Sequence, residues 1–162
     1  MNRAAFRIIF LVVLVLGLIM AMNQVVFADG KTFQQILKEA KSGITEVTVE
    51  QVKKDMDAGK EFVLLDVRDP DEYAAGHLPK AVNISRGKLE FMIGRLYPNK
   101  DTEMVLYCRT GARSALCTKT LMDMGYKNVK NFNGAFKAWG ESGYPIYNRH
   151  GEFKMIAFEK KE

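Results

Sequence analysis

The chain has 162 residues, of which 48% are hydrophobic and 27% are charged, and its formal net charge is +5. This length and composition indicate one globular domain with a core of its own. The basic residues are scattered and form no concentrated basic face, so the sequence predicts no nucleic-acid partner. Two cysteines would allow a disulfide in an exported protein, but composition does not decide whether they form one.

The N-terminus has the features of an export signal. Arg3 and Arg7 precede a long apolar run that ends in small or aliphatic residues. This pattern predicts that residues 1–28 are a cleaved signal peptide and that the domain is exported to the periplasm or another extracytoplasmic compartment. Residues 8–28 are also uncharged over a length that could span a bilayer, so an uncleaved membrane anchor is the alternative. Membrane association is expected only in that case.

The rest of the chain alternates between helix and strand patterns. Residues 29–45 are predicted as an N-terminal helical extension and residues 46–147 as the main domain, whereas the tail, residues 148–162, has no clear period and is given no function. Thr48 and Gln51 form a capping box that starts a helix. Periodicity and turn residues predict these elements: helix 31–41, strand 46–47, helix 49–58, strand 62–67, helix 70–75, strand 81–84, helix 89–96, strand 104–107, helix 113–124, strand 127–132 and helix 134–140.

This alternation predicts an α/β fold. The expected architecture is a central, mostly parallel, five-stranded sheet with helices on both faces, joined by right-handed crossovers. Ligands in such sheets bind beyond the carboxyl ends of the strands. Cys108 follows the apolar run Met104–Tyr107, so it is predicted to lie at such an end.

The loop after this strand has the composition of a thiolate site. Cys108 is followed by Arg109, Thr110, Gly111, Ala112 and Arg113, and a helix begins at the end of the loop. The backbone N–H groups of the loop can converge on the sulfur, while the helix N-terminus and the two arginines add positive potential. These features lower the pKa of a thiol, so we expect Cys108 to be a nucleophile and the loop to bind an anionic group.

The loop resembles the active loop of rhodanese-type sulfurtransferases. Two further blocks are similar to the signatures of that family, one made by Leu65–Arg68 and Gly76–Pro79, the other by Asn133–Phe136 and Gly143–Pro145. The resemblance implies a rhodanese-like fold. It also implies transfer of a sulfane sulfur from a small anionic donor such as thiosulfate, through a persulfide on Cys108, to a thiophilic acceptor such as cyanide or a thiol. It implies no metal or cofactor.

Three other chemistries also use a reactive cysteine. A phosphatase or arsenate reductase has a longer loop, whereas only four residues separate Cys108 from Arg113, and the loop lacks a carboxylate that could protonate a leaving group. A sulfur carrier that serves a partner protein is a second alternative. A thiol redox protein is a third, in which Cys117 would resolve a disulfide with Cys108. A packing role for Cys117 is favoured because its helical position is far from the loop.

Charged residues near other strand ends are predicted to support the site indirectly. Asp66 lies at a strand end, and Arg68 and Glu72 are expected to form an ion pair that fixes the strand-to-helix turn. His77 is expected to form hydrogen bonds with nearby backbone groups. A role as a general base is the less favoured alternative. Arg86 could line the pocket mouth or be solvated at the surface.

Overall fold

The computed structural model describes residues 3, 13 and 30–155. The predicted signal peptide or anchor therefore lies outside the described residues, apart from Arg3 and Val13. No helix in the described part of the chain is long and apolar enough to cross a bilayer. The chain divides into two compact units, Met1–Lys31 and Thr32–Glu162, and the elements named below belong to the second.

Helices and strands alternate along the second unit, as predicted. The helices are α1 (Phe33–Ser42), α2 (Val49–Asp57), α3 (Pro70–Ala75), α4 (Leu89–Leu96), α5 (Ala112–Asp123) and α6 (Ala135–Glu141), and a short 3-10 helix covers Arg86–Lys88. The strands are β1 (Thr45–Val47), β2 (Val63–Asp66), β3 (Val82–Asn83), β4 (Met104–Tyr107), β5 (Val129–Phe132), β6 (Ile146–Asn148) and β7 (Gly151–Phe153).

Five of these strands form one parallel sheet in the order β1-β5-β4-β2-β3. The predicted five-stranded α/β architecture is thus confirmed. Strand β4 lies at the centre, where Leu106 pairs with Leu65 on one side and with Asn131 on the other. Cys108 directly follows this central strand. The carboxyl ends of β2 and β5 therefore flank it.

Both faces of the sheet are covered, because side chains along each strand alternate between two hydrophobic clusters. In β4, Leu106 packs into a cluster with residues of α4 and α5, whereas Val105 packs into a second cluster with residues of α2 and α6. Trp139 of α6 is 1% exposed and fills the second cluster, where its ring meets Phe132 edge to face at 6.4 Å. Helices α2, α4, α5 and α6 therefore bury apolar side chains against the sheet.

Local chemistry accounts for the predicted helix start at α2. The Thr48 hydroxyl accepts a hydrogen bond from the Gln51 N–H (3.3 Å), and the Gln51 side chain accepts one from the Thr48 N–H (2.8 Å). This reciprocal pair satisfies two N–H groups that have no partner within the helix. The capping box is confirmed.

The C-terminal tail contains structure that the sequence pattern did not reveal. Strands β6 and β7 form a separate antiparallel hairpin, so the part of the tail up to Phe153 is ordered. His77 and Tyr147 exchange two backbone hydrogen bonds of 2.8 and 2.9 Å, which tie the hairpin to the chain that follows α3. Each strand of the hairpin has three residues, too short for an alternating pattern to be recognisable.

Two neighbouring residues of α5 provide a test of this packing. Leu121 is fully buried, whereas Met122 is 38% exposed. Leu121→Ala is expected to lower the free energy of unfolding by about 2–5 kcal/mol, because it leaves a cavity in the core. Met122→Ala is expected to change it by less than about 0.5 kcal/mol. Urea unfolding followed by circular dichroism and by Trp139 fluorescence measures both, and equal losses would contradict the packing.

Candidate active site

The turn between β4 and α5 holds Cys108 in a buried position. Cys108 is 1% exposed, and its carbonyl accepts a hydrogen bond from the Phe136 N–H at 3.1 Å. The Arg109 carbonyl accepts one from the Lys137 N–H at 2.9 Å. The first turn of α6 therefore binds the two carbonyls at the beginning of the loop.

Gly111 allows the chain to turn from the loop into α5. Its φ angle is 100°, a left-handed conformation that is costly for residues with a Cβ atom. A Cβ atom at this position would also lie 3.3 Å from the Phe132 carbonyl oxygen. A glycine is therefore required here for two independent reasons.

Hydrogen-bond donors surround the Cys108 sulfur. The Gly111 N–H lies 3.2 Å from Sγ, and the Ser114 hydroxyl lies 3.6 Å from it. Burial alone would raise the pKa of this thiol. That effect is outweighed by hydrogen bonds from the Ser114 backbone and hydroxyl, then from the backbone N–H groups of Thr110 and Gly111, so the pKa of Cys108 is lowered. We call these donors, which belong to Thr110, Gly111 and Ser114, the sulfur cradle.

Ser114 is the site residue that the sequence did not identify. It lies in the first turn of α5, where backbone N–H groups have no acceptor within the helix. Its own N–H can therefore point at the sulfur, and its side chain is fully buried beside it. A hydroxyl residue just inside a helix start after a cysteine loop is the signal that could have indicated it.

The two arginines of the loop have different environments. Arg113 donates two hydrogen bonds to Glu72, at 2.6 and 2.8 Å, and lies 3.8 Å from Asp69. The bond from Arg113 is the main cause that lowers the pKa of Glu72. Arg109 is exposed, and its side chain forms no ion pair with any described residue. Of these two arginines, Arg109 is therefore the one that is available to a ligand.

The predicted ion pair between Arg68 and Glu72 is wrong. Arg68 instead binds Asp66, with Nε 3.0 Å from both carboxylate oxygens and Nη2 2.6 Å from Oδ2. Arg68 turns back along its own strand end because Asp66 is fully buried there and needs a counter-charge. Nη2 also donates to the Gly76 carbonyl at 2.7 Å.

The buried Asp66–Arg68 pair packs beside the loop. The Arg68 guanidinium lies 4.2 Å from the centre of the Phe136 ring, a cation–π contact with the residue that binds the Cys108 carbonyl. Arg68 is 3% exposed, so this pair supports the turn and is almost entirely buried.

Comparison with known proteins assigns the family. The family model of the rhodanese-like domain matches residues 48–142. A sulfurtransferase from Allochromatium vinosum is 32% identical over 108 residues, which are 67% of this chain and 99% of that protein. The chain belongs to the rhodanese-like family. Its relatives include sulfurtransferases, and the resemblance noted in the sequence is confirmed.

Solved structures agree with this assignment. The polysulfide-sulfur transferase homodimer from Wolinella succinogenes is 33% identical, with a TM-score of 0.61, and the match covers 72% of this chain and 88% of that one. RPA3614 from Rhodopseudomonas palustris, a protein of unknown function described as a possible tyrosine phosphatase, is 35% identical with a TM-score of 0.68, and covers 72% of this chain and 95% of that one.

The remaining predicted site residues lie around the rhodanese-like loop. His77 Nδ1 lies 3.0 Å from the Tyr73 carbonyl oxygen, and its ring stacks on Tyr73 at 3.9 Å, as expected for a residue that satisfies local backbone groups. Ala112 begins α5. Arg86 is exposed in the 3-10 helix, and its backbone N–H donates a hydrogen bond to the Val67 carbonyl. It is not among the residues that line the cleft beside the loop.

Cys117 is packed inside the rhodanese-like domain. It is 2% exposed, belongs to the same hydrophobic cluster as Cys108, and forms no disulfide with it. Burial raises the pKa of Cys117 to about 12, so its thiol stays protonated at neutral pH. This environment favours packing over redox chemistry for Cys117.

A cleft of about 420 Å³ opens beside the loop. We call it the vestibule, and it is lined by Arg68, Glu72, Ala75, Gly76, Arg109, Phe136, Phe153 and Met155. A second cavity of about 280 Å³, lined in part by Lys53, Trp139 and Pro145, contains no residue of the loop. Among the described residues, no group of three or more His, Cys, Asp or Glu side chains could hold a metal ion.

The Ser114 hydroxyl allows the cradle to be tested. Ser114→Ala is expected to slow alkylation of Cys108 by iodoacetamide at neutral pH about tenfold, because a hydrogen bond to an anion contributes about 1.5–3 kcal/mol. The pH at which alkylation is half-maximal should rise. Ser42→Ala, which removes an exposed hydroxyl from α1, is the control. An unchanged pH profile in Ser114→Ala would show that the hydroxyl does not stabilise the thiolate.

Proposed function

We propose that this protein transfers a sulfane sulfur from a donor such as thiosulfate to cyanide or a thiol, through a persulfide on Cys108. The observation that carries the proposal is the buried Cys108 sulfur, which receives hydrogen bonds from the cradle and has a lowered pKa. Membership of a family that contains sulfurtransferases supports it.

In the first half-reaction, the Cys108 thiolate attacks the outer sulfur of thiosulfate. A new S–S bond forms to Sγ, the original S–S bond breaks, and its electron pair leaves with sulfite. Arg109 is suited to bind the sulfonate oxygens, because it is exposed and forms no ion pair within the part of the chain that the structure describes. The cradle then stabilises the anionic persulfide.

In the second half-reaction, the acceptor attacks the outer sulfur of the persulfide. The Cys108–sulfur bond breaks, and its electron pair returns to Sγ as the thiolate. The lowered pKa of Cys108 makes it a good leaving group in this step, just as it makes it ionised in the first step. The Wolinella relative is named a polysulfide-sulfur transferase, so polysulfide is the second donor to test.

Three other functions are less well supported. A phosphatase would need a wider loop and a carboxylic acid for the leaving group, whereas Glu72 and Asp69 both face Arg113. A redox protein would need Cys117 to be reactive, but it is buried and its pKa is raised. A sulfur carrier would form the same persulfide and pass it only to a partner protein, so acceptor assays separate it from an enzyme.

A persulfide assay tests the proposed reaction. Incubation of the purified protein with thiosulfate should add the mass of one sulfur atom, and cyanide should remove it. Cys108→Ser is expected to gain no sulfur, while Cys117→Ala should behave as the unchanged protein. Intact-mass spectrometry measures all three.

The same assay defines how the proposal would fail. Absence of the added mass with both thiosulfate and polysulfide would sink the enzyme and the carrier proposals together. A persulfide that cyanide and small thiols leave intact would favour the carrier. Sulfur found on Cys117 would overturn the assignment of the nucleophile.

We further propose that the domain is exported and that residues 1–28 are removed, with retention as an anchor as the alternative. The support is the pattern of Arg3 and Arg7 before an apolar run. In a bacterial host, the full chain is expected in the periplasmic fraction with the mass of residues 29–162. Replacement of both arginines with Glu should leave unprocessed protein in the cell. Unprocessed, soluble cytoplasmic protein from the unchanged chain would refute export, and unprocessed protein in the membrane fraction would establish the anchor.

A further inference from the structure

We propose that the preferred sulfur acceptor is a slender thiol with an aliphatic body and a terminal carboxylate, bound in the vestibule against Phe153 and Met155 of the C-terminal segment. This inference rests on the proposed sulfur transfer through Cys108. It goes further by naming the class of acceptor and assigning the C-terminal segment a role in selecting it.

Apolar side chains form one wall of the vestibule. Phe136, Phe153 and Met155 all line it, and Phe153 and Met155 are 37% and 44% exposed. Exposed apolar side chains that converge on a cleft beside a reactive group are typical of a binding surface for an apolar ligand. Cyanide and thiosulfate are too small and too polar to need such a wall. An aliphatic chain would cover it.

Two glycines allow the C-terminal segment to reach this position. A Cβ atom at Gly76 would lie 2.9 Å from Cζ of Phe153, and a Cβ atom at Gly140 would overlap the side chain of Met155. The hairpin is held in place by the backbone bonds between His77 and Tyr147. Phe153 and Met155 are therefore packed into the wall of the vestibule.

The C-terminal part of this wall lies outside the family model. The family model ends at residue 142, whereas the hairpin and Met155 follow it. The family match accounts for the loop and for Phe136, but it does not account for Phe153 or Met155. A wall beside the reactive centre is suited to select among substrates, since it does not alter the chemistry of the sulfur.

The charges around the vestibule favour one anionic group. Arg68 is paired with Asp66, and Glu72 is paired with Arg113. Arg109 remains as the lining cation without a partner among the described residues. A terminal carboxylate on the acceptor can bind Arg109 through two parallel hydrogen bonds. A hydroxyl at the same position would lack the charge.

Because the Cys108 sulfur is buried, the thiol end of the acceptor must be narrow enough to reach it. Cys108 is 1% exposed, while its neighbours Arg109 and Phe136 reach the vestibule. A thiol on an unbranched chain can enter where a branched or bulky one cannot. Its thiolate attacks the outer sulfur of the persulfide, a new S–S bond forms, and the bond to Sγ breaks. The Cys108 thiolate and the persulfide of the acceptor are the products, so atoms and charge balance without another reagent.

A single-turnover experiment tests this inference. Protein loaded with sulfur on Cys108 is mixed with mercaptoacetate, mercaptobutanoate, mercaptohexanoate or mercaptohexanol, and the second-order rate constant for loss of the persulfide is measured at equal thiolate concentration. In the unchanged protein, we expect the constant to rise about twofold for each methylene added, as partial burial of an aliphatic chain predicts. Mercaptohexanoate should react about tenfold faster than mercaptohexanol, because a charge-assisted hydrogen bond contributes more than a neutral one.

Variants assign these effects to residues. Phe153→Ala and Met155→Ala are expected to reduce the dependence on chain length, measured as the ratio of the rate constants for mercaptohexanoate and mercaptoacetate, by about threefold each, since each truncation removes apolar contact area. Arg109→Gln should remove the preference for carboxylate over hydroxyl. Phe91→Ala and Met122→Ala are the matched controls, because both residues are exposed but lie outside the vestibule, and they should leave the ratio unchanged.

The outcomes separate this inference from the proposed function. Failure to load sulfur on Cys108 would end both. A persulfide that reacts with cyanide, but with thiols at rates independent of chain length, would overturn the acceptor class and leave the sulfur transfer standing. Chain-length dependence that persists in Phe153→Ala and Met155→Ala would overturn the role of the C-terminal segment. The series in the unchanged protein remains decisive even if a hairpin variant fails to fold.

Discussion

The Cys108 sulfur lies where water scarcely reaches it, so its negative charge depends on the donors of the cradle. Burial without those donors would raise the pKa of the thiol and leave it protonated. The donors can point at the sulfur because α5 begins directly after the loop, with its first N–H groups unused by the helix. The central position of β4 in the parallel sheet then places this helix start at the edge where ligands bind.

The residues around the loop also help to hold the hydrogen-bond donors of the sulfur cradle in place. The first turn of α6 binds the Cys108 and Arg109 carbonyls, so these groups are turned away from the sulfur. Phe136 belongs to that turn, and it packs against the Arg68 guanidinium, which is neutralised by Asp66. Removal of one partner from a buried ion pair costs about 3–5 kcal/mol, so Asp66 and Arg68 act as one structural unit. Their effect on the sulfur is indirect, through the position of Phe136.

Features that depend on neighbouring residues could be predicted from the sequence, and those that depend on distant contacts could not. The strand before Cys108, the Thr48 capping box and the short loop to Arg113 are local patterns, and the structure contains all three. The spacing of Arg68 and Glu72 suggested an ion pair, but Glu72 binds Arg113, which lies 41 residues away along the chain. Ser114 acts through the direction of its N–H and hydroxyl, which sequence spacing does not specify.

The ion pairs of the arginines would determine how the two proposed half-reactions share one site. Arg113 is bound by Glu72 and Arg68 by Asp66, so Arg109 is the unpaired cation of the vestibule within the described residues. The donor sulfonate and the acceptor carboxylate would then bind the same guanidinium. They cannot do so at the same time, and the buried sulfur likewise accepts one reactant at a time. In the proposed mechanism, sulfite would therefore have to leave before the acceptor binds, and the persulfide would be the form of the protein between the two half-reactions.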